Sequence, residues 1–164
     1  MGEFDDLLTA NRRYASTFDE GGFDGIAHAG VLVITCMDSR IEPLAMLGLK
    51  LGDAKILRTP GGRVTPDALV GCILGVHLLH VERIMVIPHT RCAVAAGTDR
   101  QIAERILELS RVDVRGMTIG ANPDQDLTLD FDVRFLRAHP LIKGRATVGA
   151  FMYDVDTGLL SQVH

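Results

Sequence analysis

Within the five residues Cys36-Met37-Asp38-Ser39-Arg40 stand a thiol, a carboxylate and a guanidinium, directly after the apolar run Val31-Leu32-Val33-Ile34. A buried strand should end there. Further along the chain the outline recurs, as Ile84-Met85-Val86-Ile87 runs into His89-Thr90-Arg91-Cys92. Cys36, His89 and Cys92 are three zinc-binding groups, because thiolate and imidazole favour zinc over hard cations such as magnesium or calcium. The His89-x-x-Cys92 spacing lets one turn supply two ligands. Cys36 and Asp38, two apart in extended chain, share one face. Taken singly, each of these residues is more often structural: buried cysteines are common, a histidine at a strand end usually finds a hydrogen bond, and HxxC alone is a weak signal. Two strand ends that both terminate in ligand types, with an acid and an arginine alongside, point to a metal site.

Zinc held by two thiolates and a neutral imidazole has no net site charge, so water there is acidified less than at a tris-histidine site. A nearby carboxylate could orient that water, or bind the metal itself and shut the site. A bidentate pair with Arg40 would hold Asp38 away from the metal. The pair therefore reads as a gate on an open coordination position, which a structural zinc does not need. Other chemistries fit worse. Three residues between Cys36 and Arg40 are too few for the loop of a cysteine phosphatase. No G-x-G-x-x-G follows a strand, and there is no Walker A, H-E-x-x-H or G-x-S-x-G sequence. Gly61-Gly62 suggests close backbone approach but is no dinucleotide fingerprint.

The elements that must position these groups alternate along the chain. Glu3 to Phe18 has helical spacing of Phe4, Leu7, Leu8, Ala15 and Phe18, and Gly21-Gly22 and Gly25 break it. This amphipathic arm must bury its stripe either on its own domain or on a partner subunit. Gly30–Cys36 is a strand, Ile41–Gly48 a short helical turn, and Ala54–Arg58 a second strand. Thr65-Pro66 opens a helix running to about His80. Arg83–His89 is the third strand. Thr98 with Gln101 resembles a capping box for a helix through Leu109. Val112 to Gln125 is loop, and Asp126–Ala138 is a helix stopped by Pro140. Ala146–Val155 and Leu159–Val163 flank Asp156-Thr157-Gly158 as a hairpin. The fold class is α/β: a mainly parallel central sheet covered by helices, with a C-terminal antiparallel hairpin and the N-terminal helical arm. In such a sheet ligands bind beyond the carboxyl ends of the strands, where Cys36 and His89 both lie.

The helix over Ala68–Val81 is apolar nearly all round and should be buried on more than one side. Gly71 and Gly75 would let another backbone approach, either at a subunit interface or beneath the terminal hairpin. Cys72, inside it, reads as a small buried hydrophobe. His28, His77, His80, His139 and His164 read as structural or exposed.

Bulk properties bound the rest. The 164 residues form one domain, with residues 1–22 as arm and 30–164 as core. A hydrophobic share of 47% and a charged share of 23% are ordinary for a globular protein. A net charge of −4 with no basic cluster argues against a nucleic-acid partner. No secretory signal is visible, and no apolar run is long enough to span a membrane. Three cysteines without a disulfide spacing fit a reducing cytoplasm.

The two motifs resemble those of the β-class carbonic anhydrases, Cys36-Met37-Asp38-Ser39-Arg40 matching the family's cysteine–aspartate–arginine motif and His89-Thr90-x-Cys92 its second metal motif. The resemblance extends over most of the chain, from the arm to the Asp-Val-Asp-Thr-Gly hairpin, and the short length is similar to the compact bacterial branch. It implies one Zn(2+) per subunit on Cys36, His89 and Cys92, with Asp38 and Arg40 as the catalytic gating dyad. It further implies a lyase in which zinc-bound hydroxide attacks carbon dioxide to give bicarbonate. It implies a homodimer, or a multiple of dimers, with N-terminal helices laid across the partner. Three positions depart from the pattern: Ala93 replaces a usual glycine, Arg91 stands where an acid is common, and Arg58-Thr59-Pro60-Gly61 replaces Arg-Asn-Ala-Gly. Pro60 removes a backbone donor from the pocket wall. The alternatives are a hydrolase of carbonyl sulfide or carbon disulfide on the same zinc, and a non-catalytic zinc-binding homologue.

Overall fold

The β-branched run after Gly30 forms the most buried strand of the sheet, β1 (Val31–Cys36), and every one of its residues is buried. A strand covered on both faces has no polar side to alternate with, which is why this one reads as apolar throughout. The computed structural model describes residues 2–163. Around β1 lie β2 (Ala54–Thr59), β3 (Arg83–Ile87), β4 (Thr147–Tyr153) and β5 (Leu160–Gln162), in the sheet order β2-β1-β3-β4-β5. The first four are parallel neighbours and β5 pairs antiparallel with β4. The chain leaves β1 for β2 on one side and then crosses back to β3 on the other. The carboxyl ends of β1 and β3 therefore flank a topological switch point, where open α/β sheets place their ligands.

Four α-helices accompany the sheet: α1 (Asp5–Ser16), α2 (Pro66–Leu78), α3 (Asp99–Ser110) and α4 (Gln125–Ala138). Local signals account for their starts. Thr65 Oγ1 accepts from Ala68 N ahead of Pro66, Thr98 and Gln101 form a complete capping box, and Asp124 Oδ1 accepts from Leu127 N at 3.0 Å. Leu32 and Ile34 of β1 pack with Ala68 and Cys72 of α2 and with Leu129, Val133 and Leu136 of α4 in one cluster. Val31 and Val33 join a second cluster with Ile41, Met46 and Leu47, from the segment that follows β1. Buried Asp132 of α4 accepts from Arg63 Nε at 2.7 Å, Arg63 Nη2 at 3.1 Å and Val64 N at 3.0 Å. This pair ties α4 to the glycine loop after β2.

The single chain leaves two apolar helix faces uncovered. Within it α2 buries one side only, and Val70, Leu74 and Leu78, spaced four apart, form an exposed apolar stripe. Its glycines face its own sheet: a Cβ on Gly71 would lie 2.7 Å from Leu57 Cδ1, and one on Gly75 would lie 3.0 Å from Leu32 Cδ1. They let α2 settle onto β1 and β2. No residue of α1 is buried, and Phe4, Leu7, Leu8 and Phe18 are exposed. The arm thus does not bury its stripe on its own chain. Among the described residues no helix is long and apolar enough to cross a membrane.

Candidate metal centre

The register carries Cys36 and His89 into one crevice. Thr35 is opposite Ile87 in the β1–β3 ladder, and Thr35 Oγ1 also donates to Ile87 O at 2.8 Å. Beyond β3 the chain stays pinned to β4, with Tyr153 N donating to Pro88 O at 3.0 Å and Thr90 N to Tyr153 O at 2.9 Å. His89 is held between these two bonds. The following turn places Arg91 at a φ of 53° and returns Cys92 toward Cys36. Cys36, His89 and Cys92 are 3%, 0% and 4% exposed, and their ligand atoms all lie within 4.8 Å of one another.

These atoms fit a metal on chemical and geometric grounds. The sulfurs are 3.9 Å apart, close to the edge of about 3.8 Å that two zinc–sulfur bonds make in a tetrahedron. His89 Nδ1 lies 2.9 Å from Thr90 O, and since a carbonyl only accepts, Nδ1 carries the proton and Nε2 the free lone pair. That Nε2 is buried without a hydrogen bond to any described residue, a costly state for a polar atom with no ligand to meet. Burial pushes the Cys36 thiol up, but the His89 imidazole and the backbone amides of Asp38 and Gly61 outweigh it and bring its pKa to about 7. Burial also lowers His89, yet its approach to Cys36 leaves it raised overall. Cys92 is raised by burial and by the neighbouring Cys36 charge.

Asp38 sits at the mouth of this cluster, its Oδ2 3.8 Å from His89 Nε2. Arg40 holds it bidentately, Nε to Oδ1 and Nη2 to Oδ2 both at 2.8 Å, while the Arg40 backbone N–H adds a bond to Oδ1 at 3.0 Å. These bonds keep the carboxyl well below the usual carboxylate range. Arg40 Nη2 is in turn 3.2 Å from Arg91 O, and the Arg91 side chain pairs with Asp156 of the hairpin. All five residues singled out from the sequence therefore meet at one place.

Three supporting residues were not assigned a role from sequence. Arg58 donates from Nε to Cys36 O at 3.1 Å, and from Nη2 to Asp38 O at 2.9 Å and Ile41 O at 2.7 Å, stapling the whole Cys36–Ile41 loop. Gln125 Nε2 donates to His89 O at 3.0 Å. Asn122 N donates to Val94 O at 3.1 Å, just past Cys92. The Asn-Pro turn before α4 was the one visible signal for the last two. Gly61 and Gly62 do make the close approach their sequence suggested, as a Cβ on Gly62 would lie 3.0 Å from Ile87 O. Cys72 is fully buried, and burial pushes its thiol up to about 12. His28 pairs with Asp24, His77 meets Leu141 O, and His139 accepts from Leu141 N, all outside the cluster. His80 is exposed, and His164 lies outside the described residues.

A carbonic anhydrase family profile matches residues 31–114, which hold both ligand segments. The chain belongs to the β-carbonic anhydrase family. Over its whole length it superposes on 99% of a carbonic anhydrase from Streptococcus mutans with a TM-score of 0.91 and 32% identity. It is 28% identical over 159 residues to beta-carbonic anhydrase 1 of Mycobacterium tuberculosis, covering 97% of this chain and 96% of that one. It is also 30% identical over 157 residues to a carbon disulfide hydrolase of Saccharolobus solfataricus, covering 80% of this chain and 76% of that one. Members of this family use zinc, and the buried Cys-His-Cys group could hold it.

Proposed function

We propose that the protein catalyses the reversible hydration of carbon dioxide to bicarbonate and a proton, as a zinc-dependent lyase. The observation that carries this reading is the Asp38–Arg40 pair, two 2.8 Å bonds that restrain a carboxylate only 3.8 Å from His89 Nε2. A purely structural metal site has no use for such a restraint. Cys36 Sγ, His89 Nε2 and Cys92 Sγ would hold one zinc per subunit, on a core of residues 30–164. Bound there, zinc supplies a Lewis acid that makes water nucleophilic near neutral pH.

The protein's own groups do the rest. Arg40 keeps Asp38 ionised and turned aside, so that the carboxylate would not compete for a metal held by Cys36, His89 and Cys92. Asp38, acceptor-only in that state, takes a hydrogen bond from the attacking water and aims its lone pair at the substrate carbon. The Nδ1–H bond to Thr90 O fixes the imidazole tautomer, and Gln125 and Arg58 hold the loops that carry the ligands. Stopped-flow hydration by zinc-loaded protein is expected to exceed the buffer rate between about pH 6.5 and 9, where water at such a site ionises; a rate no faster than buffer throughout would discard this reading.

Zinc uptake should be proton-coupled. With Cys92 raised and Cys36 at about 7, loading at pH 7 releases more than one proton per site, and the release declines as pH rises and Cys36 becomes thiolate beforehand. Calorimetry in buffers of different ionisation enthalpy counts these protons. A count of zero at pH 7 would contradict the thiol assignment.

The unburied stripe of α1 and the exposed Val70, Leu74 and Leu78 of α2 support a homodimer, or a multiple of dimers, in which α1 lies across the partner. Light scattering on the purified chain distinguishes this from a monomer. The carbon disulfide hydrolase relative supports a second reading, hydrolysis of carbonyl sulfide or carbon disulfide at the same site. Sulfide release measured beside the hydration assay separates the two.

A further inference from the structure

Arg91 stands between two charged groups and touches both. At a φ of 53°, its carbonyl accepts from Arg40 Nη2 at 3.2 Å, while its guanidinium pairs with Asp156. The backbone of Asp156 is fixed at this place. Asp154 Oδ1 accepts from Asp156 N at 2.8 Å and from Thr157 N at 3.1 Å. The same turn is tied to the ligand segment, with Val155 N donating to Thr90 Oγ1 at 3.1 Å and Thr90 N to Tyr153 O at 2.9 Å. The hairpin therefore holds a second carboxylate beside the guanidinium that restrains Asp38. Its charge reaches Arg40, adding to the stronger pull of Asp38 in raising that guanidinium. Arg40 commits Nε and Nη2 to Asp38 and to the Arg91 carbonyl, and among the described residues nothing accepts from its Nη1.

Two carboxylates near one guanidinium compete for it, and one already paired with another cation competes less. We propose that Arg91 is a positioning residue, which occupies the Asp156 carboxylate and thereby reserves Arg40 for Asp38. This rests on the Asp38–Arg40 gate of the carbon dioxide reading above. Without the Arg91 charge, Asp156 draws Arg40 toward the hairpin, and the paired bonds to Asp38 are made for a smaller share of the time. The Arg91 and Asp156 side chains are 60% and 57% exposed, so their loss shifts a balance and does not collapse the site. A simple brace between hairpin and turn predicts otherwise. It would fail equally when either partner is changed, and changing both would repair nothing.

The test is a cycle of Arg91→Gln, Asp156→Asn and the double variant, with Arg91→Ala in place of the glutamine should that protein not fold. In metal-free protein, solvent exchange of the Arg40 Nε–H is read by NMR. In cobalt-substituted protein, the visible spectrum reads whether Asp38 reaches the metal. Arg91→Gln is expected to speed the exchange and to lower kcat/KM by about three- to fivefold, the scale of one exposed ion pair. Its cobalt spectrum should shift toward that of Arg40→Ala. Asp156→Asn alone should stay within about twofold of wild type, and the double variant should return all three readouts to wild type. Arg91→Lys, which keeps the charge, should lose less than Arg91→Gln. Equal losses in both single variants without recovery in the double, or no change in any of them, overturns the role of Arg91. A wild-type protein that hydrates no carbon dioxide overturns the functional reading instead, and the Nε–H exchange of the metal-free cycle still decides the residue.

Discussion

Cys36→Ala and His89→Ala proteins are expected to purify folded, with little or no zinc, and with kcat/KM for hydration reduced by more than about 10⁴-fold. Either change leaves two ligands where three stand within 4.8 Å of one another, and two are too few to hold zinc against buffer. The fold itself should survive. Cys36 ends β1 and His89 lies beyond β3, so neither is inside the ladder between those strands, and Leu32 and Ile34 keep their contacts with α2 and α4. Removing the His89 ring also removes a buried polar atom that has no protein partner. Metal analysis and circular dichroism on the same samples check both halves. Full zinc content in either variant would show that the ion sits elsewhere.

Arg40→Ala is expected to keep its zinc and still lose about 10- to 100-fold in kcat/KM at neutral pH, the scale of loss seen when groups orienting a metal site are removed. Both carboxylate oxygens of Asp38 lose their charged donors, and Oδ2 starts only 3.8 Å from His89 Nε2. The freed carboxylate would then be able to compete with water for a metal held by the three ligands. Hydroxide competes better as pH rises, so the variant should recover part of its activity in alkali and show an activation midpoint above the wild type. Arg40→Lys should fall between the two, since an ammonium cannot make the paired bonds. Asp38→Asn, a weaker ligand than the carboxylate, should lack the alkaline recovery. A cobalt spectrum of Arg40→Ala that matches the wild type at pH 7, together with undiminished turnover, would remove the gate from the mechanism.

Much of this site was legible in one dimension because its chemistry is written at strand ends. An apolar run that stops at a thiol marks both the strand and the ligand, and the turn after His89 needs no long-range partner to bring Cys92 back. Helix starts were equally local, since Thr65-Pro66 and Thr98 with Gln101 cap within one turn. The same locality limits what could be read of α2. Its thirteen residues are apolar nearly all round, and composition alone cannot say that the glycine side meets Leu57 and Leu32 while Val70, Leu74 and Leu78 face outward.

Residue types and short spacings by themselves pointed to the candidate ligand set, the acid–arginine pair and the α/β alternation, because each depends on contacts within a few residues or on strand periodicity. Only the tertiary structure decided that β1 and β3 are neighbours, through a ladder in which Thr35 meets Ile87, and so brought Cys36 to His89. It alone assigned Arg58 to the Cys36–Ile41 loop and Gln125 to His89, because both bind backbone carbonyls, which carry no sequence signature. It also placed Asn122 against Gly61, a contact between distant loops that depends on how α4 docks on the sheet. The arm was the opposite case: its apolar stripe was plain in the sequence, and the fold left it uncovered, since α1 has no buried residue on its own chain.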